Sequence, residues 1–174
     1  MRTFMGRRLV IAAAMLGLVA IVATGSVVLA ATVRQGAPTY MKVVTEIQSV
    51  HAETTTWSDV PGTAIAMSVP QGEHDIFQVS FSTAAPSCVK IASGYSTTTC
   101  SVRAVVDGQP AQPGEINVGD SYFQVQDVTA SFQWVSGALA PGTHYVKMQY
   151  RVAGSGNSIG LTTRTMTVIQ ARAY

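Results

Sequence analysis

Asp75-Ile-Phe-Gln-Val-Ser-Phe-Ser-Thr83 places Phe77, Val79 and Phe81 on one side of an extended chain and Gln78, Ser80 and Ser82 on the other. A half-buried β-strand requires this period of two, because successive side chains leave a strand on opposite faces. The alternation recurs. Residues 99–107 set Cys100, Val102, Ala104 and Val106 against Ser101, Arg103 and Asp107. Residues 143–152 set His144, Val146, Met148, Tyr150 and Val152 against Tyr145, Lys147, Gln149 and Arg151. In the threonine-rich stretch 161–169, Met166 and Val168 share a face with Arg164. Weaker strands are expected over 41–50, 54–57, 63–69, 122–126 and 130–135.

Turn chemistry separates these runs: Pro61-Gly62, Pro70-Gln71-Gly72, Asp107-Gly108, Pro113-Gly114, Gly119-Asp120, Pro141-Gly142 and Gly154-Ser155-Gly156-Asn157. Short alternating strands with frequent turns predict an all-β antiparallel sandwich or barrel. One polar face per strand gives each sheet a core side and a wet side.

The first thirty residues follow a different pattern. Arg2, Arg7 and Arg8 precede a run from Leu9 to Ala31 without a single charge. A basic start, an apolar stretch and the small-x-small ending Val28-Leu29-Ala30 form the layout of a secretory signal cut before Ala31. About 20 apolar residues also suffice to span a bilayer, so an uncleaved anchor across residues 9–31 is the competing reading. Thr24-Gly25-Ser26 ends the strongest apolar run at a signal-like length, which favours cleavage. No Cys follows the run, against a lipoprotein, and the surroundings of Arg7-Arg8 fit the twin-arginine signal only loosely. The expected organisation is a signal peptide or signal-anchor helix over 1–30, a tether over 31–40 and a β-sandwich over 41–174. The domain is secreted, or held on the outer side of the cytoplasmic membrane.

Removing that segment changes the charge balance. The chain carries eleven basic and nine acidic residues. Without Arg2, Arg7 and Arg8, eight basic residues face nine acids, a net charge of −1. Nucleic-acid binding is dominated by phosphate neutralisation, so a near-neutral domain without a basic cluster excludes that partner. Only 11% of residues are charged, against about 25% in an average soluble domain. Uncharged strand edges invite pairing with other chains, so a homo-oligomer built through the sheets is expected.

Cys88 and Cys100 are the only cysteines, and both lie in the exported part. An even count in an oxidising compartment favours a disulfide, which would staple a long hairpin loop. Neither cysteine has a zinc-finger partner at the required spacing.

Several phrases, read in order, resemble a type of bacterial exported and phage-associated β-sandwich domain. They are Trp57-Ser-Asp-Val-Pro-Gly62, Phe77-Gln-Val-Ser-Phe-Ser82, Cys100-Ser-Val-Arg-Ala-Val-Val-Asp-Gly108, Leu139-Ala-Pro-Gly-Thr-His-Tyr-Val146 and Arg164-Thr-Met-Thr-Val168. The likeness spans roughly residues 54–170. It implies a jelly-roll-like sandwich, distantly similar to the C1q and tumour-necrosis-factor type, and supports the pairing of Cys88 with Cys100. It supplies no catalytic residue.

Signatures of chemistry are missing from the residues themselves. His51, His74 and His144 show no metalloprotease spacing. His144, just after Pro141-Gly142, is expected to bond turn backbone, and His74 between Glu73 and Asp75 reads as a surface turn. There is no Gly-x-Ser-x-Gly elbow. The acids Asp59, Glu73, Asp75, Asp107, Asp120 and Asp127 sit beside turns, which suits capping and solvation. No cofactor, metal or enzymatic activity is expected.

Binding remains. Tyr95 within the cysteine-closed loop, Tyr122 and Trp57 are the candidate ligand contacts, whereas Trp134, alternating with Phe132, is expected in the core. The reading is a non-catalytic exported sandwich for surface interaction or assembly, its partner a surface protein or a glycan. A carbohydrate-binding module is the alternative, and a hydrolase with a dispersed triad the second alternative.

Overall fold

The structure, a computed structural model, describes residues 38–90, 99–120, 129–154 and 157–173. The chain divides into two compact units, Met1–Thr32 and Val33–Tyr174, and the described residues all belong to the second. The expected export segment, Tyr95, Tyr122 and the strand expected over 122–126 lie outside the described residues.

All regular structure described is antiparallel β, without a helix. The strands are β1 (Pro38–Glu46), β2 (Val50–Ala52), β3 (Ser58–Asp59), β4 (Ile65–Val69), β5 (Asp75–Ala84), β6 (Ser87–Lys90) and β7 (Thr99–Val106). They continue with β8 (Gln109–Pro110), β9 (Ile116–Asp120), β10 (Thr129–Val135), β11 (Gly142–Val152), β12 (Asn157–Leu161) and β13 (Arg164–Arg172). One sheet has the order β1-β13-β5-β10. A second runs β3-β11-β7-β8, with β4 also on β11 and β9 also on β7, and a third is β2-β12-β6.

Alternation decides which side chains meet. Phe77, Val79 and Phe81 of β5 join Met166 and Val168 of β13, Val102 and Ala104 of β7, and Val146 and Met148 of β11 in one buried cluster. Two sheets are thus packed face to face, as the sequence pattern requires. Trp134 is fully buried and donates its indole N–H to the Gly114 carbonyl at 2.7 Å, closing one side of the sandwich.

Two expected strands are broken, and for one reason. Stretches 41–50 and 161–169 are each broken, into β1 and β2 and into β12 and β13, and the chain bends again between β5 and β6. The neighbour order β1-β13-β5 repeats as β2-β12-β6, so the small sheet continues the large one around a shared corner. Ala85 turns the corner at φ 43°, a left-handed conformation unusual for alanine. The Ala84 N–H donates to the Thr163 carbonyl at 2.9 Å, and the Thr162 hydroxyl donates to the Ala84 carbonyl.

Arg164 fills this corner. Its side chain is 1% exposed, and Nη1 donates to the carbonyls of Gln48 (2.6 Å), Leu161 (3.0 Å) and Thr162 (3.3 Å), Nη2 to that of Pro61 (3.3 Å). A bend frees backbone carbonyls from the ladder, and a guanidinium has enough donors in a planar fork to satisfy several at once.

Cys88 and Cys100 form the expected disulfide, with Cα atoms 5.6 Å apart. The expected hairpin around it is not found. Among the described residues β6 pairs with β12, while β7 pairs with β8, β9 and β11. The bond therefore ties the bent-away sheet to the six-stranded one rather than stapling a loop. Residues 54–57, expected as a strand, form no ladder; pairing starts at Ser58.

Candidate functional site

Among the described residues, two outer faces, one edge and one cleft could meet a partner. They differ in chemistry.

The outer face of the six-stranded sheet is charged and internally paired. Register aligns Asp59, Gln149 and Arg103 in one row across β3, β11 and β7. Gln149 Oε1 accepts from Arg103 Nε (3.0 Å) and Nη2 (2.8 Å), and Gln149 Nε2 donates to Asp59 Oδ1 (2.8 Å). Lys147 Nζ donates to Asp59 Oδ2 at 2.7 Å, and Arg151 Nη2 to Glu115 Oε2 at 2.6 Å. The bonds from Lys147 and Gln149 hold the Asp59 carboxyl below the usual aspartate range. Burial alone would raise Glu115, but bonds from Ser101 and Arg151 outweigh it and lower its pKa. Burial and the neighbouring Arg151 charge lower that of Arg103.

Trp57 lies on this network. The guanidinium carbons of Arg103 and Arg151 stand 4.1 and 4.8 Å from its ring centroid. Cation–π attraction to two arginines seats the half-buried indole on the sheet. Trp57 is thus part of a surface cluster, engaged by its own chain.

Among the described residues, the outer face of the four-stranded sheet has no charge. One row reads Thr45, Thr165, Ser82 and Ser131, the next Val43, Thr167, Ser80 and Gln133, and the third Met41, Ile169, Gln78 and Val135. This face ends on β1, whose other edge has no backbone partner among the described residues. Tyr40, Met41, Val43 and Ile47 on and just beyond β1 are 52, 59, 50 and 76% exposed. Sequence periodicity gives 41–50 only as an ordinary weak strand. The signal that could have marked it is the broken alternation of Met41-Lys42-Val43-Val44, apolar on both faces.

Between β1 and β4 lies a cleft of about 370 Å³ lined by Thr39, Tyr40, Lys42, Ser68, Pro70, Glu73 and Gln170. Lys42 Nζ reaches across it to the Ala66 carbonyl at 2.5 Å. Asp75, expected as a solvated turn acid, is instead fully buried. As the first residue of β5 it faces the core side of the strand, where Gln170 Nε2 donates to its Oδ2 at 2.5 Å and to the Ser68 carbonyl at 3.1 Å. His74 is exposed, so the expected turn holds for it but not for Asp75. His144 bonds turn backbone as expected, Nε2 to the Ala140 carbonyl at 2.8 Å, and also the Asp107 carboxylate, Nδ1 to Oδ2 at 2.6 Å. Among the described residues no group of three or more metal-ligating side chains converges.

No protein-family model matches the chain, and no curated protein matches its sequence. Among solved structures, similarity extends to a family 35 carbohydrate-binding module from Clostridium thermocellum, at 8% identity over 71% of this chain and 90% of that one, with a TM-score of 0.32. The dimeric latent PorU of Porphyromonas gingivalis aligns at 12% identity over 79% of this chain and 14% of that one, TM-score 0.32. The Eiger tumour necrosis factor of S. frugiperda aligns at 10% over 76% and 92%, TM-score 0.27. These likenesses are distant. The fold assignment rests on the strand order and the buried cluster described above.

Proposed function

We propose that this chain is a non-catalytic exported β-sandwich domain that works in cell-surface or extracellular interaction and assembly. The observation that carries the reading is the uncharged outer face of the four-stranded sheet, running into the exposed apolar strand β1. Soluble domains normally put charge on such surfaces, because a neutral sheet edge recruits other strands. The charged face, by contrast, satisfies its ions internally. A disulfide between buried cysteines suits an oxidising compartment outside the cytoplasm.

Chemical crosslinking of the full chain in its native envelope tests this. Species larger than the monomer are expected; a chain that stays monomeric at native abundance would sink the reading. Labelling of the folded protein by a serine-directed fluorophosphonate would favour a hydrolase instead.

The cleft supports glycan binding as a second reading. Tyr40 offers an aromatic ring beside the hydroxyls of Thr39 and Ser68 and the amide of Gln170, the mixture of apolar platform and few polar groups that small-ligand sites use. Reproducible binding on a glycan array, lost in Tyr40→Ala, Tyr95→Ala or Tyr122→Ala, would decide for it.

A further inference from the structure

We propose that β1 pairs with β1 of a second copy, antiparallel about a two-fold axis through Val44, joining two four-stranded sheets into one of eight strands. The proposal rests on the assembly reading and gives it a partner and a register.

The strand supplies three reasons. First, its outer edge has no backbone partner among the described residues, and nothing blocks it with a proline between Thr39 and Glu46. Unpaired N–H and C=O groups along such an edge are a template for another strand. Second, of the six large apolar side chains exposed among the described residues, four fall between Tyr40 and Ile47. Third, the segment is chemically self-complementary. About Val44, Lys42 stands opposite Glu46 of the other copy, Val43 opposite Thr45, and Met41 opposite Ile47.

Strand geometry makes this register selective. Residues directly opposite in an antiparallel pair share a face, so a continuous sheet allows only registers that match odd with odd positions. Centring one residue earlier would set Lys42 against Val44 and Glu46 against Tyr40. Centring one residue later would set Lys42 against Gln48 and Glu46 against Val44. Only the pairing about Val44 puts each ammonium opposite a carboxylate, twice per dimer. Opposite charges across a strand pair stabilise it and like charges destabilise it.

Both groups retain capacity for this contact. The Lys42 ammonium has three donors and uses one on the Ala66 carbonyl. Glu46 accepts from the Gln48 N–H through Oε1 at 3.0 Å. The same pairing covers Met41 and Ile47 with one another and extends the neutral outer face across both copies. It is an isologous interface, in which one patch meets itself.

The test is oxidative crosslinking of full-length Val44→Cys in its native compartment, where Cys88 and Cys100 already occupy each other. At the axis the two introduced thiols face one another within disulfide reach. A reducible dimer is expected. It should fall about tenfold when Lys42→Glu is added, which sets like charges opposite each other twice, and persist with Lys42→Arg. If Val44→Cys stays monomeric while an amine-reactive crosslinker still joins wild-type copies, this register is wrong and assembly uses another surface. If neither crosslinks, the assembly reading falls with it. A dimer indifferent to Lys42→Glu overturns the charge-set register.

Discussion

His144 and Asp107 form a pair whose geometry favours charge on both. Both ring nitrogens face acceptors, the Asp107 carboxylate and the Ala140 carbonyl, which only the protonated imidazole can satisfy together. Burial pulls the His144 pKa down, but those two bonds prevail and raise it above the ordinary 6.5. Burial pushes Asp107 up, and the bonds from His144 and the Tyr145 N–H more than offset that and lower it. The His144 contribution is therefore complete below the unfolded value and lost as pH rises through the raised folded one. That of Asp107 is present above its unfolded value and lost in acid as pH falls through the lowered folded one. Thermal melts should show wild-type stability declining as pH rises above the ordinary histidine value of 6.5, by less than ~1 kcal/mol because Asp107 is partly exposed. Asp107→Asn keeps a residue tolerant of the left-handed backbone at φ 50° and should flatten that slope. An unchanged slope would mean His144 titrates without reference to Asp107.

The corner between the large sheet and its small continuation depends on Arg164. Four carbonyls from three chain segments converge on one buried guanidinium. Arg164→Met would leave them short of donors, and chemical denaturation should register a loss of at least ~2 kcal/mol. Arg164→Lys should recover little, since a single ammonium cannot reproduce the planar fork. The disulfide constrains the same region. Replacing both Cys88 and Cys100 with alanine releases a link across 12 positions of sequence and is expected to cost about 3 kcal/mol of unfolding free energy, read as a lower unfolding midpoint. A midpoint that does not move would mean the tie between β6 and β7 adds nothing to packing already in place.

At the scale of the whole molecule, charge is segregated by face. The six-stranded sheet carries paired ions outward, whereas the four-stranded sheet presents Ser, Thr, Val and Ile. Ser80→Glu or Thr167→Lys adds a charge to the neutral face without touching the core, so folding stability should stay within about 0.5 kcal/mol. Sedimentation velocity should show weaker higher-order association than wild type if that face contributes. Unaltered association would confine assembly to the edge of β1.

The strands β5, β7 and β11 and the side chains they bury were legible one residue at a time, because alternation at period two is a local property that survives without tertiary context. Trp134 and the pairing of Cys88 with Cys100 were legible for similar reasons, apolar periodicity and a single available partner. The corner was not. It is set by long-range competition for carbonyls, and nothing local to Arg164 announces that Gln48, Leu161, Thr162 and Pro61 will meet there. Burial of Asp75 was equally illegible, since the glutamine that donates to its carboxylate lies 95 residues away. The candidate surface was half visible: low charge could be counted, but its gathering onto one sheet face required the register. Sequence alone determined β5, β7, β10 and β11 and their inward faces, because those follow from side-chain alternation. Tertiary structure alone decided which strand became the bare edge, because an edge is defined by the neighbour that a strand lacks.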